Sequence, residues 1–203
     1  MTPLPRLYAI ADAAFGDPVQ LAEALFAGGA RLVQIRNKKA GARELLQQVE
    51  RVLALAPPGA QVIVNDRADV ALLAGTSGVH LGQTDLPPFE ARRILGPDRI
   101  VGFSTHNLQQ ALEADTMPVD YIAFGPIFPT STKENPDPVV GLEMLADICR
   151  AVHKPVVAIG GITLETAPSV LKAGASSIAV IRDLLDSADV ARRVREMQAV
   201  RFE

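Results

Sequence analysis

The segment LVQIRNK carries three polar residues at alternate positions: Gln34, Arg36 and Lys38. Successive side chains of a β-strand project to opposite faces, so on a strand these three residues share one face. Two cations and an amide donor on one face suit a ligand that carries phosphate. The alternative interpretation is a layer of ion pairs inside the protein, with no ligand. We therefore expect an anion site at this segment.

Two carboxylates follow the next two apolar runs along the chain. Asp66 closes the run VIVND, and Asp85 lies just past the end of the run that begins VHL. Paired carboxylates suit either a general acid and base or a Mg²⁺ site completed by substrate phosphates and water. We favour Mg²⁺, because it prefers oxygen ligands and because cations suited to a diphosphate lie on the neighbouring run. In the structural alternative, Asp66 pairs with Arg67 or Arg36, and Asp85 caps a helix that begins near Pro87.

A second group of anion-binding residue types stands in the last third of the chain. The longest loop, GPIFPTSTKENPDPVVG, offers the hydroxyls of Thr130 and Thr132 and the ammonium of Lys133. Glycines at 160 and 161 allow close backbone approach, and Arg182 ends the final apolar run, where barrel proteins often bind phosphate. A solvated loop that has these residues by chance is the alternative. The pattern predicts two separate anion sites.

All these residues stand at the ends of short apolar runs, of which the chain has eight: YAIAD, LVQIRN, VIVND, VHLGQTD, IVGFST, YIAFGPI, VVAIGG and IAVIRD. Runs this short, most of them followed by an amphipathic stretch of helix length, are typical of parallel strands buried on both faces. Eight such units predict an α/β fold, the (β/α)8 TIM barrel, whose active site lies at the carboxyl ends of the strands. The candidate site residues are those that close the runs: Arg36, Lys38, Asn65, Asp66, Asp85, Ser104, Gly161 and Arg182.

Helix signals agree with this strand count. Asp17 before Pro18 is a typical N-cap, and Gly28 is placed to end the same helix. We expect a later helix to begin near Thr166 and another to begin at His106 after the fifth strand. His80 lies inside the fourth strand, where a structural role is the default interpretation.

The length and composition fit one barrel. Eight units take about 200 to 250 residues, and the chain has 203, of which 48% are apolar. We therefore expect one TIM-barrel domain over residues 1–203. The formal net charge of −3 without a basic run argues against nucleic-acid binding, and no apolar run is long enough to span a membrane. One cysteine, Cys149, and no secretory signal favour a cytoplasmic location.

Taken together and in order, the motifs resemble those of the thiamine-phosphate synthase family, also called thiamine-phosphate pyrophosphorylase. They are YAIAD, QIRNK, VNDRADVA, GVHLGQTDL, GFSTH, DYIAFGPIFPTSTK and AIGGI, and with the last strand they cover nearly the whole chain. The resemblance implies a transferase of alkyl groups in thiamine biosynthesis. The implied partners are two small molecules, hydroxymethylpyrimidine diphosphate and hydroxyethylthiazole phosphate, and the implied cofactor is Mg²⁺.

The family resemblance also implies site residues. Asp66 and Asp85 would bind Mg²⁺, and the catalytic residues would be Arg36, Lys38, Ser104 and Lys133. The pyrimidine diphosphate would be held by Gln34, Ile35, Arg36, Asn37, Lys38, Asn65, Ser104 and Lys133. The thiazole phosphate would be held by Thr130, Ser131, Thr132, Gly161, Ile181 and Arg182. Two positions depart from the family pattern: Asn37 replaces the usual Glu but points away from the barrel mouth by alternation, and Arg182 replaces the common Ser.

Other functions are also compatible with the sequence. A related thiazole tautomerase shares the barrel but has a histidine where this chain has Pro126. A phosphosugar isomerase or Schiff-base aldolase would use Lys38 or Lys133 as base or nucleophile. A catalytically silent barrel that senses a phosphorylated ligand is the alternative from a different class. The sequence leaves open whether the chain forms a homo-oligomer.

Overall fold

The computed structural model describes residues 4–130 and 138–200. Its parallel strands close into a barrel in which each strand pairs with the next along the chain and the eighth pairs with the first. The strands are β1 (Leu7–Asp12), β2 (Leu32–Arg36), β3 (Gln61–Asn65), β4 (Gly78–Leu81), β5 (Ile100–Thr105), β6 (Tyr121–Phe124), β7 (Val156–Ile159) and β8 (Ser177–Val180). The predicted (β/α)8 barrel is confirmed.

Helices connect the strands around the outside of the barrel. They are α1 (Pro18–Ala27), α2 (Ala42–Leu55), α3 (Ala68–Ala74), α4 (Pro88–Leu95), α5 (Leu108–Thr116), α6 (Gly141–Ala151), α7 (Ala167–Lys172), α8 (Arg182–Leu185) and α9 (Val190–Gln198). The predicted cap of α1 is present: the Asp17 carboxylate accepts the amide of Val19 at 2.9 Å, and Gly28 ends the helix. Thr166 precedes α7 as predicted. Among the helices of the described residues, none is long and apolar enough to cross a membrane.

Two helix predictions were wrong in detail. His106 does not begin the fifth helix, because Asn107 takes the N-cap position and its side chain accepts the amide of Gln110. Arg182 does not end β8 but begins the short helix α8, which the sequence did not reveal because four residues show no periodicity. Only Ile181 therefore separates the end of β8 from the start of α8 at the barrel mouth.

Two apolar cores flank the strands. The larger core lies between the barrel and the helices and includes Val33 and Ile35 of β2. The smaller core fills the barrel interior and consists of Tyr8, Ile10, Leu32, Ile63, Tyr121, Ala123, Val157 and Ala179, with partly buried neighbours. The alternation predicted for β2 is confirmed, because Val33 and Ile35 face the helices whereas Gln34 and Arg36 line the cavity at the barrel mouth.

Candidate active site

A cavity of about 850 Å³ opens at the carboxyl ends of the strands. Its walls come from the ends of the strands and from the loops that follow them, as a barrel of this topology requires. Most of the site residues named from the sequence line it: Gln34, Arg36, Lys38, Asn65, Asp66, Asp85, Ser104, Thr130, Gly161, Ile181 and Arg182. Among the described residues, one cavity therefore contains members of both predicted anion sites, near strands two to four and six to eight.

Two residues of the predicted set do not line the cavity. Ile35 is fully buried in the core between barrel and helices. Asn37 turns toward α2, where its amide donates to Gln48 at 3.1 Å and its carbonyl oxygen accepts the amides of Lys39 and Ala40. Strand alternation turns both side chains away from the cavity, so a contact of Ile35 or Asn37 with a ligand would have to come from the backbone. Ser131, Thr132 and Lys133 lie outside the described residues.

Arg36 is held by a carboxylate that the sequence analysis did not single out. Its guanidinium contacts the Asp12 carboxylate at 2.5 Å, and Asp12 is buried at the end of the adjacent strand β1. The other Asp12 oxygen accepts the amide of Ala14 at 3.0 Å. The pairing of Arg36 with Asp66, which was the structural alternative to a metal site, is absent from the ion pairs of the described residues. The signal in the sequence was the shared position of Asp12 and Arg36 at the ends of neighbouring strands.

The two predicted metal ligands lie together. Asp66 forms an ion pair with Lys38, with 3.2 Å between Nζ and the carboxylate. Burial raises the pKa of the Asp66 carboxyl, and a hydrogen bond and like charge from Asp85 raise it further, while Lys38 opposes them. Asp85 does not cap α4, because its carboxylate accepts the amide of Gly82 at 2.7 Å. Neither structural alternative for these two residues holds, since Arg67 pairs with Asp69.

The chemistry of this pair fits Mg²⁺. Burial and the neighbouring Asp85 both raise the pKa of Asp66, and a divalent cation held by the two carboxylates would offset the repulsion between them. Asp66 also has a φ of 64°, a left-handed conformation that costs energy for a residue other than glycine and is common at functional sites. Within residues 4–130 and 138–200 no group of three or more His, Cys, Asp and Glu side chains forms a metal site. Mg²⁺ at Asp66 and Asp85 would accordingly need further oxygen ligands from substrate or water.

Asn65 presents an unused donor to the cavity. Its amide nitrogen is buried and has no hydrogen-bond partner among the described residues, although the residue lines the cavity. A buried donor without a partner costs about 1 to 3 kcal/mol. Such a group is expected where a ligand supplies the missing acceptor. This supports the prediction that Asn65 binds substrate.

The ends of β7 and β8 form the opposite wall. A side chain at Gly161 would place its Cβ 2.5 Å from the carbonyl oxygen of Pro129, so glycine is required for the loop after β6 to pack there. Arg182 pairs with Asp186 at 2.9 Å and lies 5.1 Å from the ring centre of Phe15. These contacts hold the guanidinium in the wall of the cavity, with the side chain about half exposed.

Two buried residues with polar groups lie at the cavity floor without having been expected at the site: Tyr8 was taken as core, and His80 was given a structural role. Tyr8 and His80 both line the cavity, and His80 contacts the hydroxyl of Ser104 through Nε2 at 2.8 Å. The available signal was strand alternation, since Tyr8 stands two residues before Ile10 and shares its inward face. Tyr8 was not recognised as a polar group of the site, because it stands in an apolar run and tyrosine was counted with the core.

Known proteins resemble this chain over nearly its full length. The family model described as Thiamine monophosphate synthase matches residues 7–184. The chain is 52% identical over 189 residues to a thiamine-phosphate synthase of Koribacter versatilis, covering 90% of each. It is 49% identical over 196 residues to one of Anaeromyxobacter dehalogenans, covering 97% of this chain and 87% of that protein. A solved structure of thiamine phosphate pyrophosphorylase from Pyrococcus furiosus has a TM-score of 0.87 and 37% identity, covering 96% of this chain and 94% of that chain.

Proposed function

Because the chain belongs to the thiamine monophosphate synthase family and is a transferase of thiamine biosynthesis, we propose that it joins hydroxymethylpyrimidine diphosphate to hydroxyethylthiazole phosphate. The products are thiamine phosphate and diphosphate. The observation that carries this proposal is the meeting of Asp66, Asp85 and Lys38 beside the unpaired amide of Asn65 at one edge of the cavity. That edge has the charges and donors that a metal-bound diphosphate needs.

The diphosphate end is assigned to β2 and β3. Lys38 has a side chain that is 56% exposed and can turn from Asp66 to a phosphate oxygen. Arg36, fixed by Asp12, offers its remaining N–H groups in a set direction. Asp66 and Asp85 would hold Mg²⁺, which when bound neutralises charge on the departing diphosphate. Lys133, assigned from the family resemblance, would add a further cation.

The reaction itself is substitution at carbon. The bond between the pyrimidine methylene carbon and the diphosphate oxygen breaks, and the electron pair leaves with the diphosphate. The aminopyrimidine ring delocalises the positive charge on the methylene carbon, and the thiazole nitrogen donates its lone pair to form the new C–N bond. Because the attacking atom belongs to a substrate, the protein needs no nucleophile, and its contribution is positioning and charge stabilisation.

The thiazole phosphate is assigned to the opposite wall. Thr130, Gly161, Ile181 and Arg182 line that side of the cavity, and Ser131 and Thr132 are assigned with them from the family resemblance. The cavity volume of about 850 Å³ lies near the upper limit of the range of about 300 to 1,000 Å³ that small-molecule sites occupy. A cavity of this size would leave room for two substrates side by side.

We also propose that residues 1–203 form one domain and that the protein is located in the cytoplasm.

The test is a thiochrome fluorescence assay for thiamine phosphate, with purified protein, both substrates and Mg²⁺. We expect product only when both substrates and the metal are present, and none when EDTA is added. Absence of product from folded protein would refute the proposal and favour the thiazole tautomerase or the ligand-sensing barrel. Borohydride trapping with a carbonyl substrate separates the Schiff-base rival, for which the half-exposed, ion-paired Lys38 is poorly placed.

A further inference from the structure

A chain of hydrogen bonds crosses the floor of the cavity and ends at Ser104. The amide of Gln34 donates to the Tyr8 hydroxyl at 2.7 Å, and the Tyr121 hydroxyl donates to the same oxygen at 3.0 Å. His80 contacts the Tyr121 hydroxyl through Nδ1 at 2.9 Å and Ser104 through Nε2 at 2.8 Å. We call these five residues the floor relay. It links two predicted ligand-binding side chains, Gln34 and Ser104, through three residues to which no part in binding or catalysis has been assigned.

A glycine on β5 makes the relay possible. Gly102 pairs in register with His80 of β4 on one side and with Tyr121 of β6 on the other. A Cβ at Gly102 would lie 2.0 Å from the Tyr121 ring, so any other residue would displace that ring. Without that side chain, the rings of His80 and Tyr121 stack at 5.7 Å between centres and 9° between planes. The relay is therefore built into the strand pairing.

The relay has a defined direction. Burial raises the pKa of both tyrosines, so both phenols keep their protons at neutral pH. With Tyr121 as the donor to the Tyr8 hydroxyl, the Tyr121 oxygen accepts from Nδ1 of His80. A neutral imidazole with its proton on Nδ1 has an acceptor at Nε2, so the Ser104 hydroxyl must donate to it. The lone pairs of the Ser104 oxygen then remain for the cavity.

From this direction we propose that Tyr8, Tyr121 and His80 are positioning residues that hold the Ser104 hydroxyl as a hydrogen-bond acceptor for the exocyclic amino group of the pyrimidine substrate. The inference rests on the proposed function. It assigns specificity to the floor relay, since a substrate that carries an acceptor at that position would meet the lone pairs of Ser104.

The same arrangement favours the reaction. As diphosphate departs, the amino nitrogen of the pyrimidine shares the positive charge of the methylene carbon, and its N–H groups become stronger donors. An acceptor that is already oriented toward those groups binds the transition state more strongly than the ground state. A hydroxyl free to rotate would spend part of its time donating instead. Fixing its direction through His80 therefore raises turnover without adding a charge.

The first test measures the tautomer of His80 and needs no activity. Nitrogen-15 NMR of the wild-type protein, assigned by substitution of single histidines, is expected to show His80 protonated on Nδ1 and unprotonated on Nε2. His106 is the internal reference, because its Nδ1 lies 2.7 Å from the carbonyl oxygen of Gly125 and must carry a proton. Tyr121→Phe should shift the His80 proton to Nε2. A proton on Nε2 of His80 in the wild-type protein would overturn the proposal.

The second test is kinetic. Tyr121→Phe should lower kcat about tenfold or more, a typical loss for a residue that orients a functional group. The KM for thiazole phosphate and the affinity for inorganic diphosphate with Mg²⁺, measured by calorimetry, should stay unchanged, because those ligands are assigned to other walls. In a Ser104→Ala background the same substitution should have no further effect on kcat, because the relay acts through that hydroxyl. An equal loss in both backgrounds would show that Tyr121 acts independently of Ser104 and would refute the proposal.

A control separates positioning from stability. Ser177 is a fully buried hydroxyl at the opposite end of the barrel, where it donates to the carbonyl oxygen of Pro5 at 2.7 Å. Ser177→Ala should lower the unfolding temperature while the His80 tautomer and kcat stay as in the wild-type protein. Failure of the wild-type protein to form thiamine phosphate would refute the proposed function, whereas the tautomer measurement would still decide the direction of the relay.

Discussion

Substitution of Asp12 by asparagine isolates the charge that fixes Arg36. The two side chains are 3% and 17% exposed and lie 2.5 Å apart, so the variant leaves a largely buried guanidinium without its counter-charge. The shape of the side chain is kept, and an asparagine oxygen can still accept the Ala14 amide that Asp12 accepts at 3.0 Å. Any loss of stability therefore reports the ion pair and not a cavity or a lost turn.

The expected magnitude follows from burial. Removing one partner of a buried ion pair costs about 3 to 5 kcal/mol, because the remaining charge stays uncompensated. Arg36 keeps some contact with water, so we expect the lower end, about 3 kcal/mol. In a chain of this size a loss of 1 kcal/mol lowers the unfolding temperature by about 2 to 4 °C, which gives about 6 to 12 °C for Asp12→Asn.

Urea denaturation followed by circular dichroism measures the free energy of unfolding, and calorimetry measures the unfolding temperature. The matched control is Asp69→Asn, which breaks the ion pair with Arg67. The side chains of Asp69 and Arg67 are 54% and 38% exposed, so this variant should lower the free energy of unfolding by less than about 1 kcal/mol. The double variant Asp12→Asn, Arg36→Met removes both charges and should be no less stable than Asp12→Asn alone. Equal losses for Asp12→Asn and Asp69→Asn would refute the reasoning.

Four further outcomes are expected. Asp85→Asn should raise the Mg²⁺ concentration needed for half-maximal activity about tenfold or more, as a metal titration would measure. Lys133→Ala should reduce turnover with an unchanged circular dichroism spectrum, and wild-type activity would rule out the role assigned to this residue. Arg182→Ser should raise the KM for thiazole phosphate about tenfold, the worth of a charge-assisted contact, whereas a lower KM would show that the arginine crowds the site. Cys149, whose pKa burial raises from 9.0 to about 11, should react with iodoacetamide at pH 8 about a hundredfold more slowly than in urea-unfolded protein.

The barrel could be predicted because its signal is local. Each buried strand is a short apolar run, and each helix has an amphipathic period and a cap such as Asp17, so the strand count follows without knowledge of long-range contacts. The short helix α8 was missed because four residues carry neither a period nor a side-chain cap. The start of α5 was misplaced by two residues because Asn107 and not His106 supplies the capping oxygen.

The candidate site was predictable to the extent that strand ends determine it. Gln34, Arg36, Asn65 and Asp66 follow from alternation and from the position where each strand stops. The partner of Arg36 was not predictable from the segment that contains it. Asp12 stands at the end of another strand, and only the register that pairs Asp12 with Arg36 brings the two together.

The floor relay marks the limit of sequence reasoning in this fold. Alternation tells which face of a strand a side chain occupies, and it places Tyr8 and Tyr121 inward, where their bulk counts as core. Whether two inward hydroxyls are in contact depends on the size of the side chains on the neighbouring strands. Because Gly102 has no side chain, the Tyr121 ring occupies the space beside it. From the sequence alone, a glycine within a strand predicts only that the strand is less stable at that position. The strand register places Gly102 between His80 and Tyr121. Because this position is glycine, the barrel floor has hydrogen bonds that lead to Ser104 and is not a purely apolar layer.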